Sequence, residues 1–321
     1  MSDHSSSSSR WVGPGVLLVL ATAVVSGVST FINSYAVAGT NSDAFVTVRN
    51  LVVALALLPL AAIAGRAGRT RLRAIDWGRL VAIGVIGGAV PFLLFFRGIE
   101  LASAAGAVTT ASFLYRTLFL MATVLGVVVL GERFHPRVAL AAGLLLGGNI
   151  LLLSLTSPVL TDGSAYVLAA TALWAAEYTI SKRTLRDLPS PTVMLGRMGF
   201  GAIFLSGYLI ATAQLDAAVG LTWGQWEWVG LSALLLTAFV TSWYAGLKRV
   251  DLGVATSALV LGYPVTWLVS VVVRGSSFTP AQVVGAAVVA GGVALALGWG
   301  ALKAAARHVT RLARPVLPAD A

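Results

Sequence analysis

No cysteine occurs anywhere in the 321 residues, which excludes a disulfide framework, a thiolate metal site and a cysteine nucleophile. Histidine is nearly as scarce. His4, His135 and His308 all lie outside the apolar stretches, so no imidazole serves catalysis or metal binding within them. Charge is the third deficit: 11% of residues are charged, against about 25% in soluble domains. With 58% hydrophobic residues and a mean hydropathy of +0.89, too little polar surface remains to coat a globule in water. The sequence also lacks a Walker loop, an HExxH motif and an EF-hand loop. That excludes an ATP-driven pump, leaves gradients as the energy source, and gives no reason to expect a metal or cofactor.

What is present is a series of apolar runs. A hydrocarbon core of about 30 Å takes roughly 20 apolar residues of helix, and ten stretches meet that measure: 12–37, 45–64, 80–99, 102–130, 138–155, 166–182, 192–213, 226–248, 252–274 and 280–302. The Ser-rich leader 1–11 reads as disordered. The first run is too long for a signal-peptide core and reads as a retained span. The net charge of +10 does not indicate nucleic acid, because its placement is that of a topology signal. Seventeen of the 22 basic residues fall in alternate connectors and the two ends, Arg97 and Arg274 fall on the other side, and three arginines sit within runs. By the positive-inside rule both termini are cytoplasmic. The basic tail 303–321 is either solvated or laid along anionic headgroups.

The two halves of the chain repeat. At an offset of 148, Arg49 matches Arg197, Gly98 matches Gly246, Ala107 matches Ala255 and Tyr115 matches Tyr263. After a slip of one helical turn, GERFHP at 131–136 meets GSSFTP at 275–280, and Gly147-Gly148 meets Gly291-Gly292. Each repeat holds five runs, an odd number, so the halves insert in opposite orientations. The expected architecture is all-α and integral to the membrane: ten spans in a 5+5 inverted repeat, 12–155 and 156–302, around a central cavity with a midplane binding site.

Several stretches together resemble a known family. They are VRNLVVALALLPL with Arg49, GVIGGAVPFLLFFRGIELASA, LGERF followed by a Gly-Gly helix, LGRMGFGAIFL, AGLKRVDLGVATSAL and Tyr263-Pro264. In their order and spacing they are similar to the drug/metabolite transporter superfamily, specifically its ten-span EamA-type members, over about residues 12–300. The resemblance implies a cavity ringed by spans 1, 3, 4, 6, 8 and 9, with spans 5 and 10 in support. Two departures stand out. Where such proteins carry a proline in span 4, this chain has Arg116, although Pro264 keeps the counterpart in span 9. Ser276 also replaces, in the second repeat, the acid that Glu132 supplies in the first.

Arg116 lies fourteen residues from either end of its run, about 21 Å of helix from each surface, too deep to snorkel. A central arginine costs roughly 2.5–3.5 kcal/mol to insert, so it is expected to face a wet pathway, with a structural ion pair as the other reading. Glu177 is the only acid well inside a run. It is read as a proton-coupling carboxylate or as a counter-charge, for which Arg116 is one candidate. Arg49 and Arg197, at matched positions, read as gating or structural residues that cap helix-end carbonyls; Pro264 joins that group. Substrate contacts are expected from Arg116, Tyr115, Ser112, Ser26, Asn33, Phe95, Trp174, Tyr244 and Tyr263. Spans 5 and 10 carry glycines such as Gly143-x-x-x-Gly147, suited to close packing within one chain or between two.

The expected function is secondary transport by alternating access, as an exporter of small metabolites such as amino acids or related carboxylates. Guanidinium suits a carboxylate and aromatic rings suit an apolar side chain. Amine-type or drug-like cargo centred on Glu177 is the alternative, followed by a lipid or lipid-linked flippase. A membrane-embedded enzyme is disfavoured, since no buried His or Lys base accompanies the serines. The expected setting is the cell (inner or plasma) membrane, with a small-molecule substrate and lipids as partners, no nucleic acid, and a monomer or homodimer.

Overall fold

The computed structural model describes residues 5–36, 40–68, 72–134 and 136–312. Fifteen helices and no strand occur among them. In chain order they are α1 (Ser5–Ala36), α2 (Ser42–Gly68), α3 (Ala74–Gly88), α4 (Val90–Ala104), α5 (Val108–Arg116), α6 (Leu118–Leu130), α7 (Pro136–Leu152) and α8 (Asp162–Thr184). Next come α9 (Ser190–Ala211), α10 (Leu215–Val219), α11 (Trp223–Leu247), α12 (Leu252–Leu259), α13 (Gly262–Arg274), α14 (Pro280–Leu297) and α15 (Trp299–Leu312). An all-helical chain is what hydrocarbon demands, because each backbone N–H and C=O must find its partner within the segment.

Eight stretches are long and apolar enough to cross a membrane. Two more complete the ten passes: the shorter α7, and α8, whose composition is more polar. The polarity of α8 is turned inward, where Thr171, Glu177, Ser181 and Thr184 are fully buried. Lipid-facing positions are the reverse: Val128, Val272 and Ile203 stand 75%, 74% and 69% exposed. The halves are inverted five-pass repeats. α4 packs on α8 as α11 packs on α1, α2 pairs with α9, and α7 pairs with α14.

Three passes expected to be continuous are broken, and the breaks have local causes. Proline lacks an N–H and its ring collides with the carbonyl four residues earlier. Pro91 thus interrupts the third pass after Gly88, where Ala89 leaves helical geometry at φ −132°, ψ −75°. Pro264 likewise separates α12 from α13 at Val260 and Leu261. The fourth pass breaks at Thr117 without a proline. There the Thr117 amide and hydroxyl both donate to the Leu114 carbonyl, at 3.0 and 2.7 Å, tightening the turn.

Among the described residues nothing approaches Gly143 or Gly147, while Gly148 meets Gly285 and Val289 across the α7–α14 contact. The close approach uses the face one residue round. α15 lies against the start of α1, with Gly13 touching Ala304. The last nine residues of the expected basic tail lie outside the described residues.

Candidate functional site

The breaks in the fourth and ninth passes both border a small cavity of about 50 Å³, room for about three waters. Arg116, Tyr115, Ser26, Phe119, Tyr178 and Phe239 line it. Arg116 ends α5, so its side chain leaves the helix where the backbone turns. Its guanidinium lies 4.5 Å from the ring centroid of Tyr263 and 5.5 Å from that of Tyr115. Each such contact is worth about 0.5–2 kcal/mol, so the two rings offset much of the cost of holding the charge at this depth. The Arg116 Nε is buried without a hydrogen-bond partner, and Arg116 forms no ion pair among the described residues. It is a half-buried cation with donors to spare, walled by rings.

Beside it stands an aromatic wall. Phe95, Tyr115 and Trp174 meet one another at centroid distances of 5.1–5.6 Å, and Phe92 joins Trp174 at 5.3 Å. Ser112 is half-buried on α5, one turn from Arg116. Asn33 is not at this cavity. It accepts from the Ser232 hydroxyl at 2.6 Å and donates to Ser29, tying α1 to α11 near the end opposite the basic connectors. At that same end Arg274 donates to Tyr35 Oη and Ser34 Oγ at 2.6 and 2.7 Å.

A second polar cluster lies deeper and is sealed. Glu177 is 0% exposed. Its Oε1 accepts from Ser181 Oγ at 2.5 Å and from Tyr244 Oη at 2.7 Å. Its counter-charge is Arg197, whose Nη2 lies 4.0 Å from Oε2; no ion pair joins Glu177 to Arg116. Tyr244, expected to touch substrate, is itself fully buried in this state.

Pro91 explains why this cluster forms here. The carbonyl it orphans belongs to Gly87, and that oxygen accepts from Trp174 Nε1 at 3.1 Å and Arg197 Nη2 at 3.2 Å. The next orphan, Gly88, accepts from Asn50 Nδ2 at 3.1 Å, and Arg49 braces Asn50 through its Oδ1. The broken end of α3, carrying the negative pole of its dipole, is thus held by both matched arginines, Arg197 directly and Arg49 through Asn50. Gly87 is required by contact as well, since a Cβ there would overlap the Glu177 side chain. Asn50 and Tyr178 belong to this cluster although the sequence did not single them out. Asn50 was signalled only by following Arg49, and Tyr178, 5.8 Å from the Arg197 guanidinium, had no signal of its own.

The two halves of the cavity differ. Toward the basic end α6 packs along α12, with Gly253 so close that a Cβ would sit 2.9 Å from Thr123 Oγ1. Their counterparts by the repeat, α5 and α13, make no comparable contact. Toward the basic end the space around Arg116 is therefore closed by packed helices, while α5 and α13 meet through the Arg116–Tyr263 contact. At the basic end the Glu132 carboxylate accepts the Leu252 amide at 2.8 Å and so caps α12; burial pushes that carboxyl above its usual range.

Comparison with known proteins agrees with this architecture. The family described as EamA-like transporter family matches the chain twice, over residues 13–154 and 162–298. No curated protein matches it. A solved structure, described only as a crystal structure of a protein, superimposes with a TM-score of 0.69 at 20% identity, covering 88% of this chain and 96% of that one. At that identity the likeness speaks for the fold alone.

Proposed function

The chain belongs to the EamA-like transporter family and is a multi-pass membrane transporter of small molecules; we propose that its cargo is a small organic carboxylate, amino acids included, exported by alternating access. One observation carries this reading. Arg116 holds a guanidinium between two rings at the level where two passes break, with its Nε unpartnered and no acid paired to it among the described residues. A carboxylate would complete that site with charge-assisted hydrogen bonds, and the wall of Phe95, Tyr115 and Trp174 would take an apolar side chain. The basic end is read as cytoplasmic, with both termini there, in the cell membrane. On that reading the α6–α12 seam closes the Arg116 cavity toward the cytoplasm.

Amine cargo at Glu177 has less support, because that carboxylate is sealed, its Oε1 accepts from Tyr244 and Ser181, and a cation, Arg197, already stands 4.0 Å from its otherwise unpartnered Oε2. Counter-charge to Arg197 is the role its surroundings favour over proton coupling.

Proteoliposomes loaded with labelled amino acids, benzoate or primary amines test the cargo class. Arg116→Ala is expected to lower carboxylate flux at least tenfold while the protein still inserts and elutes as the wild type does. Undiminished carboxylate flux through a well-folded variant would refute the assignment.

A further inference from the structure

A larger cavity than the central one opens at the basic end, where α6, α8 and α11 finish and α12 starts. It holds about 520 Å³. Four cations, Arg133, Lys182, Arg186 and Lys248, and two acids, Glu132 and Asp251, line it. These charges are not equally free. Glu132 spends its carboxylate on the Leu252 amide, at the positive pole of α12. Lys182 donates to the Leu247 and Val250 carbonyls at the end of α11. Arg186 and Lys248 each reach one carbonyl only at the limit of a hydrogen bond, 3.5 and 3.4 Å. Arg133 makes no hydrogen bond or ion pair among the described residues. Three loosely held cations therefore face one uncommitted acid, Asp251, in a concave wall that focuses their field.

Position adds meaning to charge. The α6–α12 seam has the Arg116 cavity at one end, bounded by Leu118, Phe119, Leu259 and Val260. At its other end lies this recess, bounded by Leu130 and Asp251. The two spaces are the two mouths of one closed seam.

We propose that the recess is a second anion-binding site, in which an organic carboxylate is held by Arg133, Arg186 and Lys248 before it passes the seam to Arg116. The sequence of the two sites rests on the proposed direction of transport; the binding itself does not. The same chemistry would also receive the phosphate of a lipid headgroup, so the test separates the two sources.

The chain contains no cysteine, so a single thiol at Leu130→Cys reports on the recess alone. In nanodiscs of phosphatidylcholine, an anionic methanethiosulfonate reagent is expected to react at least tenfold faster than its cationic analogue. Benzoate should slow it saturably, and well beyond the screening that sodium chloride gives at equal ionic strength. Adding Arg133→Gln and Lys248→Gln should abolish both the preference and the competition. Equal reagent rates, or slowing by chloride equal to that by benzoate, would overturn the proposal and leave the cations as a mark of membrane orientation. So would protection by phosphatidylglycerol discs with no effect of benzoate in either lipid. Should the double variant misfold, the reagent preference and benzoate competition in the single-cysteine chain decide. Arg116→Ala stands outside this readout and should leave it unchanged while transport falls, so failure of the recess and failure of the central site are told apart.

Discussion

At the scale of single residues, three arginines within apolar passes have three different settlements. Arg116 is balanced by rings and an open space, Arg49 by an asparagine that caps a carbonyl, and Arg197 by a carboxylate and a carbonyl together. The Glu177–Arg197 pair is fully enclosed, and removing one partner of such a pair costs about 3–5 kcal/mol, since the other charge is left buried. Arg197→Met is accordingly expected to lower thermal stability sharply in detergent. Arg197→Met with Glu177→Gln should regain most of it, because neither charge then remains alone. The pH profile of transport by Glu177→Gln should match the wild type if the carboxylate is a counter-charge; a flattened profile would make it the coupling site instead. That charges occupied these positions was legible from the chain alone, as each interrupts an apolar run. Which charge answers which was not. Pairing depends on the faces that α8 and α9 turn toward each other, and no local pattern in either helix encodes that.

Among the elements, the breaks matter most, and their legibility divides by cause. Pro91 and Pro264 announce themselves, since each must free the carbonyl four residues before it. Reading the third run as one continuous span missed the consequence: the freed Gly87 carbonyl is the point on which Trp174 and Arg197 converge. The Thr117 break has no proline, and only the paired fold shows it. The α6–α12 seam depends on Gly253 admitting Thr123. Gly253→Val inserts bulk into a packed contact, at a cost of about 1–3 kcal/mol. Each 1.36 kcal/mol is tenfold in a population ratio, so the closed state should lose roughly 5- to 150-fold against the opened one. Spin labels at positions 130 and 251 should then show a longer distance in the variant. An unchanged distance distribution would mean that the seam is not the gate.

Over the whole molecule, two oppositely inserted five-pass units obey one plan and depart from it in how α5, α6, α12 and α13 pack. The ten passes and the repeat were readable, because hydrocarbon thickness sets the length of each run and the glycines and arginines recur at an offset that slips by only one helical turn. The asymmetry was not, although one residue hinted at it. Glu132 caps α12 at the basic end, while its counterpart Ser276 brings no acid to the opposite end. α6 packs along α12, whereas their counterparts α13 and α5 meet through Arg116 and Tyr263, so the two halves do not pack alike.

The central claim is that a guanidinium lives in water halfway through the lipid, reachable from the side opposite the basic connectors. A cysteine at position 116, in a chain that has no other, tests it directly with a membrane-impermeant thiol reagent applied to oriented vesicles. Reaction is predicted from the outer side, much faster than from the cytoplasmic side. A thiol at 116 that reacts from neither side would contradict the account.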